Sequence, residues 1–329
     1  MRTTPLGRNG PPVSEVGLGC MGMRDFYGPT DEAESRATVG AALDAGVTLL
    51  DTGDFYGMGH NELLLREALR GVPRDRFFIA VKFGALRDPA GAFLGFDARP
   101  AHVKTSLAYT LRRLGTDHVD LYQPARLDPA VPIEETVGAI AECVKAGWVR
   151  YVGLSEVGEE TLRRAVAVHP IAELQIEYSL MSRGVEASVL PACRELGISV
   201  TAYGILSRGL LGGRIPAAGP KDGRGRFPRF QGENLTRNLA LAEQLRVLAD
   251  EKNATPAQLA TAWVRSRGDD IIPLIGARRR EQLRESLAAL VVKLSPDELA
   301  RIEAAVPPEA VQGTRYDAHS MKMLDSERG

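Results

Sequence analysis

Residues 49–57 read Leu-Leu-Asp-Thr-Gly-Asp-Phe-Tyr-Gly, "LLDTGDFYG". An apolar run ends there in two carboxylates and a phenol. A core strand has no structural need of such cargo at its tip, because buried ionisable groups cost free energy unless they are paired. Acid and phenol sit five residues apart, where a strand gives way to a loop.

Seven further runs are equally apolar: VGLGCM (16–21), RFFIAVKFG (76–84), HVDLYQP (118–124), VRYVGLSE (149–156), AELQIEYS (172–179), GISVTAYG (197–204) and IIPLIG (271–276). They are continuous rather than alternating, which predicts burial on both faces and a parallel sheet. Between them lie amphipathic stretches at 31–45, 60–70, 100–115, 133–146, 158–168, 186–196, 236–268 (two helices) and 280–290. TPAQ at 255–258 and SPDE at 295–298 are capping boxes with proline at the first helical position. Glycines 46, 115, 147 and 197 follow helix ends. Eight strand-then-helix units predict an α/β fold, a closed (β/α)8 TIM barrel spanning 1–329 as one domain. A doubly wound eight-stranded sheet is the alternative. The first segment turns at Arg8-Asn9-Gly10 and predicts an N-terminal β-hairpin that plugs one barrel end. The longest irregular stretch is 204–235, a length associated with function or mobility.

Bulk properties exclude several classes. The chain has 329 residues, 44% hydrophobic and 25% charged, as soluble globular proteins do. A net charge of −1 offers nucleic acid or an anionic membrane no attracting field. No apolar run is long enough to span a bilayer, and the first ten residues are not a secretory signal. Cys20, Cys143 and Cys193 are odd in number and far apart, so reduced thiols and a cytoplasmic location are expected. The sequons at Asn234 and Asn253 then carry no glycan. No metal-ligand spacing is present.

GLGCMG at 17–22 fits the dinucleotide fingerprint G-x-G-x-x-G. That fingerprint needs a helix opening at its last glycine. Gly28-Pro29 breaks the chain first, so the run is read as a glycine-rich first barrel strand.

In a (β/α)8 barrel the carboxyl ends of the strands converge on one face. Asp51 ends the second strand, Tyr56 follows it, and Lys82 nears the end of the third. Lysine inside an apolar strand needs a partner, and Asp51 is the natural one. A nearby ammonium lowers a phenol's pKa from about 10 and makes Tyr56 a tuned general acid. The plain alternative is a structural ion pair beside an ordinary loop tyrosine.

With LLDTGDFYG and VKFG in this order, the chain resembles the aldo-keto reductases, which use Asp, Tyr, Lys and His on a (β/α)8 barrel to reduce carbonyls with NADPH. The resemblance covers nearly the whole chain. It implies Tyr56 as proton donor tuned by Lys82 and Asp51, a small carbonyl substrate, and no nucleic-acid or membrane partner. Glu156, in place of the asparagine of many relatives, and Ser286 depart from the family pattern, and a further departure touches the family's catalytic set. Its histidine falls on Ala125 in DLYQPARLDP (120–129), and none of His60, His102, His118, His169 or His319 replaces it. Alanine opens room beside Tyr56, next to Arg126, for a substrate that is bulkier or brings its own polar group. A segment without the histidine is similar to that of pyridoxal reductases, which makes pyridoxal a candidate. Potassium-channel β subunits also lack it, which makes a cofactor-binding regulatory protein the rival reading.

The resemblance implies that Ser155, Glu156 and Gln175 bind the nicotinamide carboxamide and that Tyr203 stacks under the ring. It implies that Gly204, Leu206, Arg208 and Gly209 run along the pyrophosphate, and that Gln282, Glu285 and Ser286 lie near the adenosine. Gly276, Ala277 and Arg278 precede a helix, whose N-terminus favours phosphate, and Arg278 with Arg279 suits the 2′-phosphate of NADP. The tail after 305 is expected to fold over the substrate mouth, with Arg315, Tyr316 and Met321 available to line it. The oligomeric state stays open.

Overall fold

The computed structural model describes residues 1–24, 30–213 and 223–328. The Gly28-Pro29 break and the middle of the 204–235 stretch lie outside the described residues.

The strands, in chain order, are β1 (Thr3–Pro5), β2 (Pro12–Ser14), β3 (Gly17–Gly19), β4 (Leu49–Gly53), β5 (Phe78–Phe83), β6 (Ala85–Arg87), β7 (Phe93–Phe96), β8 (Val119–Pro124), β9 (Val149–Ser155), β10 (Ile171–Glu177), β11 (Ser199–Tyr203) and β12 (Ile271–Gly276). Eight of them close into a parallel barrel in the order β3-β4-β5-β8-β9-β10-β11-β12. These are the eight apolar runs. The open doubly wound alternative is excluded, because β12 pairs with β3 through Leu274↔Gly17 and Gly276↔Gly19.

The barrel floor is apolar. Leu49, Phe78, Ala80, Leu121, Ile272 and Leu274 form an interior cluster with Leu6 and Val13. Leu6 and Val13 come from the antiparallel β1–β2 hairpin, which therefore plugs the amino end as its turn residues predict. Gly17 and Gly153 leave room for that filling. A Cβ on Gly17 would lie 2.6 Å from Leu274 Cδ2, and one on Gly153 would lie 2.6 Å from Leu121 Cδ2. Above the floor the strands carry polar side chains: Asp51, Lys82, Gln123, Glu173 and Gln175 are all buried.

The helices are α1 (Glu32–Asp44), α2 (His60–Ala68), α3 (Pro100–Leu114), α4 (Ile133–Lys145), α5 (Glu159–Val166), α6 (Val189–Leu196), α7 (Gly232–Glu251), α8 (Pro256–Ser266), α9 (Arg280–Leu287), α10 (Pro296–Ala305) and α11 (Ala318–Met321). Both expected capping boxes form, Thr255 with Gln258 and Ser295 with Glu298. The 236–268 stretch divides into α7 and α8, and α7 begins earlier than its apolar spacing indicates. All three cysteines are free and buried. Among the described residues, no helix is long and apolar enough to cross a membrane.

Two features add to the sequence reading. An antiparallel β6–β7 hairpin follows the third barrel strand. The tail, which has no periodicity, is built of short turns, and Ser326 N–H donates to Glu156 O across the barrel mouth.

Candidate active site

Strand register brings the site together. Gly19 pairs with Asp51, Gly53 with Lys82, and Lys82 with Gln123. On the far wall Gln175 pairs with Ser155, and Glu177 with Tyr203. Lys82 Nζ donates to Asp51 Oδ1 at 2.6 Å and to Oδ2 at 2.7 Å. Gln175 Nε2 donates to the same Oδ2 at 2.7 Å. A buried ammonium and carboxylate are thus paired and further hydrogen-bonded, the condition under which such a pair is tolerated.

Tyr56 sits above them. Its loop is pinned where Asp54 N–H donates to Lys82 O at 2.9 Å, and Tyr56 N–H to Gly53 O at 3.0 Å. Gly57, Met58 and Gly59 then turn the chain with positive φ. Lys82 Nζ lies 5.2 Å from the Tyr56 ring centroid. Burial, with the Asp51 charge, outweighs the lowering pull of the Lys82 charge and hydrogen bond and of the Arg126 charge, and the phenol stands raised to about 12. The sequence reading recognised the cation but not the larger effect of desolvation. Asp54, the other carboxylate of the opening motif, serves elsewhere. Its neighbours are Glu62, Arg113 and Ser106, and burial raises it to about 7.

At the position following β8, Ala125 is 2% exposed and donates its N–H to Phe83 O. Arg126 leans over the mouth. Its Nη1 donates to Ala125 O at 2.6 Å and lies 3.5 Å from Ser155 Oγ. Its Nη2 lies 3.3 Å from Tyr316 Oη and 3.5 Å from Tyr203 Oη. His118 precedes β8 at the opposite end of that strand, with Nδ1 2.6 Å from Asp117 Oδ1.

Glu156 shows an arrangement its sequence position did not announce. It has positive φ (56°) and is wholly buried. Its Oε1 accepts from Glu177 N–H, Tyr203 Oη–H and Arg315 Nη1, and its Oε2 from Arg315 Nη2 and Ser326 Oγ–H. Arg315 holds the carboxyl well below its usual range, against the pull of burial. Expected at the carboxamide, this carboxylate is taken up by the tail. Tyr203 Oη also lies 2.9 Å from Tyr316 Oη. Arg315 and Tyr316 do cover the mouth, as the tail reading anticipated. Met321 lies in α11.

Three charged residues escaped the sequence reading. Glu173 stands in the barrel interior 3.5 Å from both Gln123 Nε2 and Gln175 Nε2, and burial with Asp51 nearby raises it to about 7. Glu177 faces Arg208, Arg229 and Arg315 at 3.5, 3.6 and 3.6 Å. Arg229 also donates through Nη2 to Met181 O at 2.8 Å. For Glu173 and Glu177 the signal was the one that exposed Lys82, a charge inside an apolar strand, here AELQIE; Arg229 lies in the irregular 204–235 stretch and carried no such signal.

The phosphate end is open. Gly276 is exposed at the tip of β12, and a Cβ there would meet nothing within 4 Å. Ala277 is buried beside it, and Arg278 N–H donates to Gln282 Oε1 at 3.2 Å. Arg279 is exposed at the N-cap of α9, while Arg280 pairs with Glu34. Glu285 and Ser286 lie on the same helix, with Glu285 O accepting from Gln258. Across the mouth, Gly204, Arg208 and Gly209 have positive φ, and Leu206 lies between them. An open backbone, a helix start and flanking guanidinium groups fit the phosphates of a dinucleotide. Among the described residues no group of three His, Cys, Asp or Glu is placed to hold a metal.

The sequence pattern of the Aldo/keto reductase family matches residues 15–307. The chain belongs to that family. It is 41% identical over 314 residues to probable aldo-keto reductase 1 of Glycine max, covering 94% of this chain and 90% of that one. Its fold is similar to that of the glycerol dehydrogenase AKR11B4 from Gluconobacter oxydans, with a TM-score of 0.83, 30% identity, and 93% and 96% of the two chains covered. It is also similar to the holo form of aldo-keto reductase AKR11C1 from Bacillus halodurans, with a TM-score of 0.77, 27% identity, and 97% and 99% covered. This aldo-keto reductase is accordingly an oxidoreductase of carbonyl compounds that works with a nicotinamide cofactor.

Proposed function

We propose that this aldo-keto reductase uses NADPH to reduce an aldehyde or ketone to the alcohol, with Tyr56 as the proton donor. The observation that carries the reading is the buried Asp51–Lys82 pair, with Lys82 Nζ 5.2 Å from the Tyr56 ring. When bound, the coenzyme supplies the hydride. Tyr56 gives its proton to the carbonyl oxygen, and Lys82 stabilises the phenolate left behind. Asp51 keeps the ammonium charged and oriented, and Gln175 holds Asp51. Ser155 and Gln175 are assigned to the carboxamide, Tyr203 to the face of the nicotinamide, and Gly276 through Arg279 to the phosphates. Arg278 and Arg279 favour NADP over NAD, because a guanidinium suits a 2′-phosphate. Ala125 and Arg126 are assigned to the substrate pocket, and pyridoxal is a candidate substrate.

A panel of aldehydes, pyridoxal included, followed by absorbance with NADPH and then NADH tests the reading. Turnover with NADPH, faster than with NADH, is expected. Tight NADPH binding without turnover of any carbonyl would favour a second reading, a cofactor-binding regulatory protein. Ala125, where the family carries its histidine, is the observation on that side.

A further inference from the structure

Among the described residues, one guanidinium at the barrel mouth makes no ion pair. The other guanidinium groups there are paired: Arg315 with Glu156 and Glu327, Arg208 and Arg229 with Glu177. Arg126 is not. Its hydrogen-bond partners are neutral oxygens, those of Ala125, Ser155, Tyr203 and Tyr316, and among the described residues it makes no ion pair; the Glu156 carboxylate, bound to Arg315, acts on it only from beyond contact. A guanidinium stays charged at every physiological pH. Holding it partly out of water without a paired counter-ion is costly, and an anion that completes the pair offsets part of that cost.

Its position identifies the anion as part of the substrate. Arg126 touches Ser155 and Tyr203, which line the far wall, and its charge acts on Tyr56 across the mouth. Ala125, with only a methyl side chain, leaves the adjoining space open to a substrate group. A guanidinium fork matches two oxygens side by side.

Resting on the reductase reading, we propose that Arg126 selects carbonyl substrates with an ionised oxygen two or three bonds from the carbonyl carbon, gripping that oxygen and the carbonyl oxygen together. The class includes the ortho-phenolate of a hydroxyaldehyde and the carboxylate of a 2-oxo acid. The carbonyl carbon accepts hydride from NADPH, which is oxidised to NADP⁺, and the carbonyl oxygen accepts the Tyr56 proton as the C=O π bond breaks. Arg126 exchanges no proton. It orients the carbonyl, the task that the family's histidine shares.

The test compares kcat/KM at pH 8.5 with NADPH within two pairs, 2-hydroxybenzaldehyde against 2-methoxybenzaldehyde, and phenylglyoxylate against its methyl ester. The first pair reports a phenolate and the second a carboxylate. In the wild-type enzyme the ionisable member of at least one pair is expected to lead by about tenfold or more, the scale of a hydrogen bond to a charged group. Arg126→Met should bring that ratio close to one, mainly through KM, and Arg126→Lys should restore part of it. Ratios near one for both pairs in the wild-type enzyme overturn the proposal, and so does a preference that survives in Arg126→Met. If Arg126→Met does not fold, the wild-type ratios and Arg126→Lys decide. Turnover without discrimination sinks this inference alone, whereas no turnover of any of the four compounds sinks the reductase reading and this inference with it.

Discussion

Arg315 and Glu156 stand 159 residues apart in the chain and share a bidentate ion pair buried in the barrel mouth. The tail is fastened to the carboxyl end of β9 through this pair. Arg315→Leu leaves Glu156 buried without its cation, which costs roughly 3–5 kcal/mol. Replacing both, as Glu156→Gln with Arg315→Met, is expected to cost less than the sum of the single changes, and urea unfolding of the cycle measures the difference. Glu156 is depressed in the folded state, so its stabilisation is present above the unfolded carboxyl pKa and declines in acid. Strict additivity would mean that the pair contributes no coupling.

Lys82→Met removes the ammonium that keeps Asp51 paired and that, on the proposed mechanism, stabilises the Tyr56 phenolate. Reduction should fall by about 10²–10⁴, the usual contribution of a positioned acid. Stability should also fall, because Asp51 keeps the Gln175 amide but loses its cation. Steady-state kinetics with thermal unfolding of the same sample checks both. Wild-type turnover in a folded Lys82→Met enzyme would reduce the pair to a structural role.

Glu173 gives stability a pH dependence of the opposite sign to that of Glu156. Its folded pKa is raised to about 7, so its contribution is fully present below the unfolded value and is lost as pH rises through about 7. The loss amounts to at most roughly 3 kcal/mol by pH 8.5. Asp54 acts in the same direction. Unfolding free energies at pH 5 and pH 8.5 should differ less in Glu173→Gln than in the wild-type protein. An identical pH dependence would show that Glu173 ionises freely in the folded state.

How far the sequence revealed all this follows from what each residue depends on. The barrel was legible because its strands are buried on both faces and so are apolar without alternation. The caps at Thr255 and Ser295 were legible because they are local. The β6–β7 hairpin was not, since Phe93 and Leu94 are exposed and show no period. Asp51, Tyr56 and Lys82 announced themselves as charge and phenol at strand ends. The role of Glu156 did not, because its partner lies in a tail without periodicity. For Tyr56 the sequence showed the nearby cation, whereas the burial that outweighs it is a property of the assembled barrel.

Arg279→Ala tests the coenzyme assignment. Loss of one charged contact to a 2′-phosphate should weaken NADPH binding about tenfold or more, with NADH affected much less. Fluorescence titration with both coenzymes measures this. Equal weakening of the two would move Arg279 away from the 2′-phosphate.

The most direct measurement concerns Tyr56→Phe, which removes one oxygen and leaves Asp51, Lys82 and Gln175 in place. NADPH affinity is measured by titration and carbonyl reduction by absorbance on the same protein. Affinity close to wild type, with turnover lowered by at least about a hundredfold, is the expected result. Undiminished turnover in that variant would contradict Tyr56 as the proton donor.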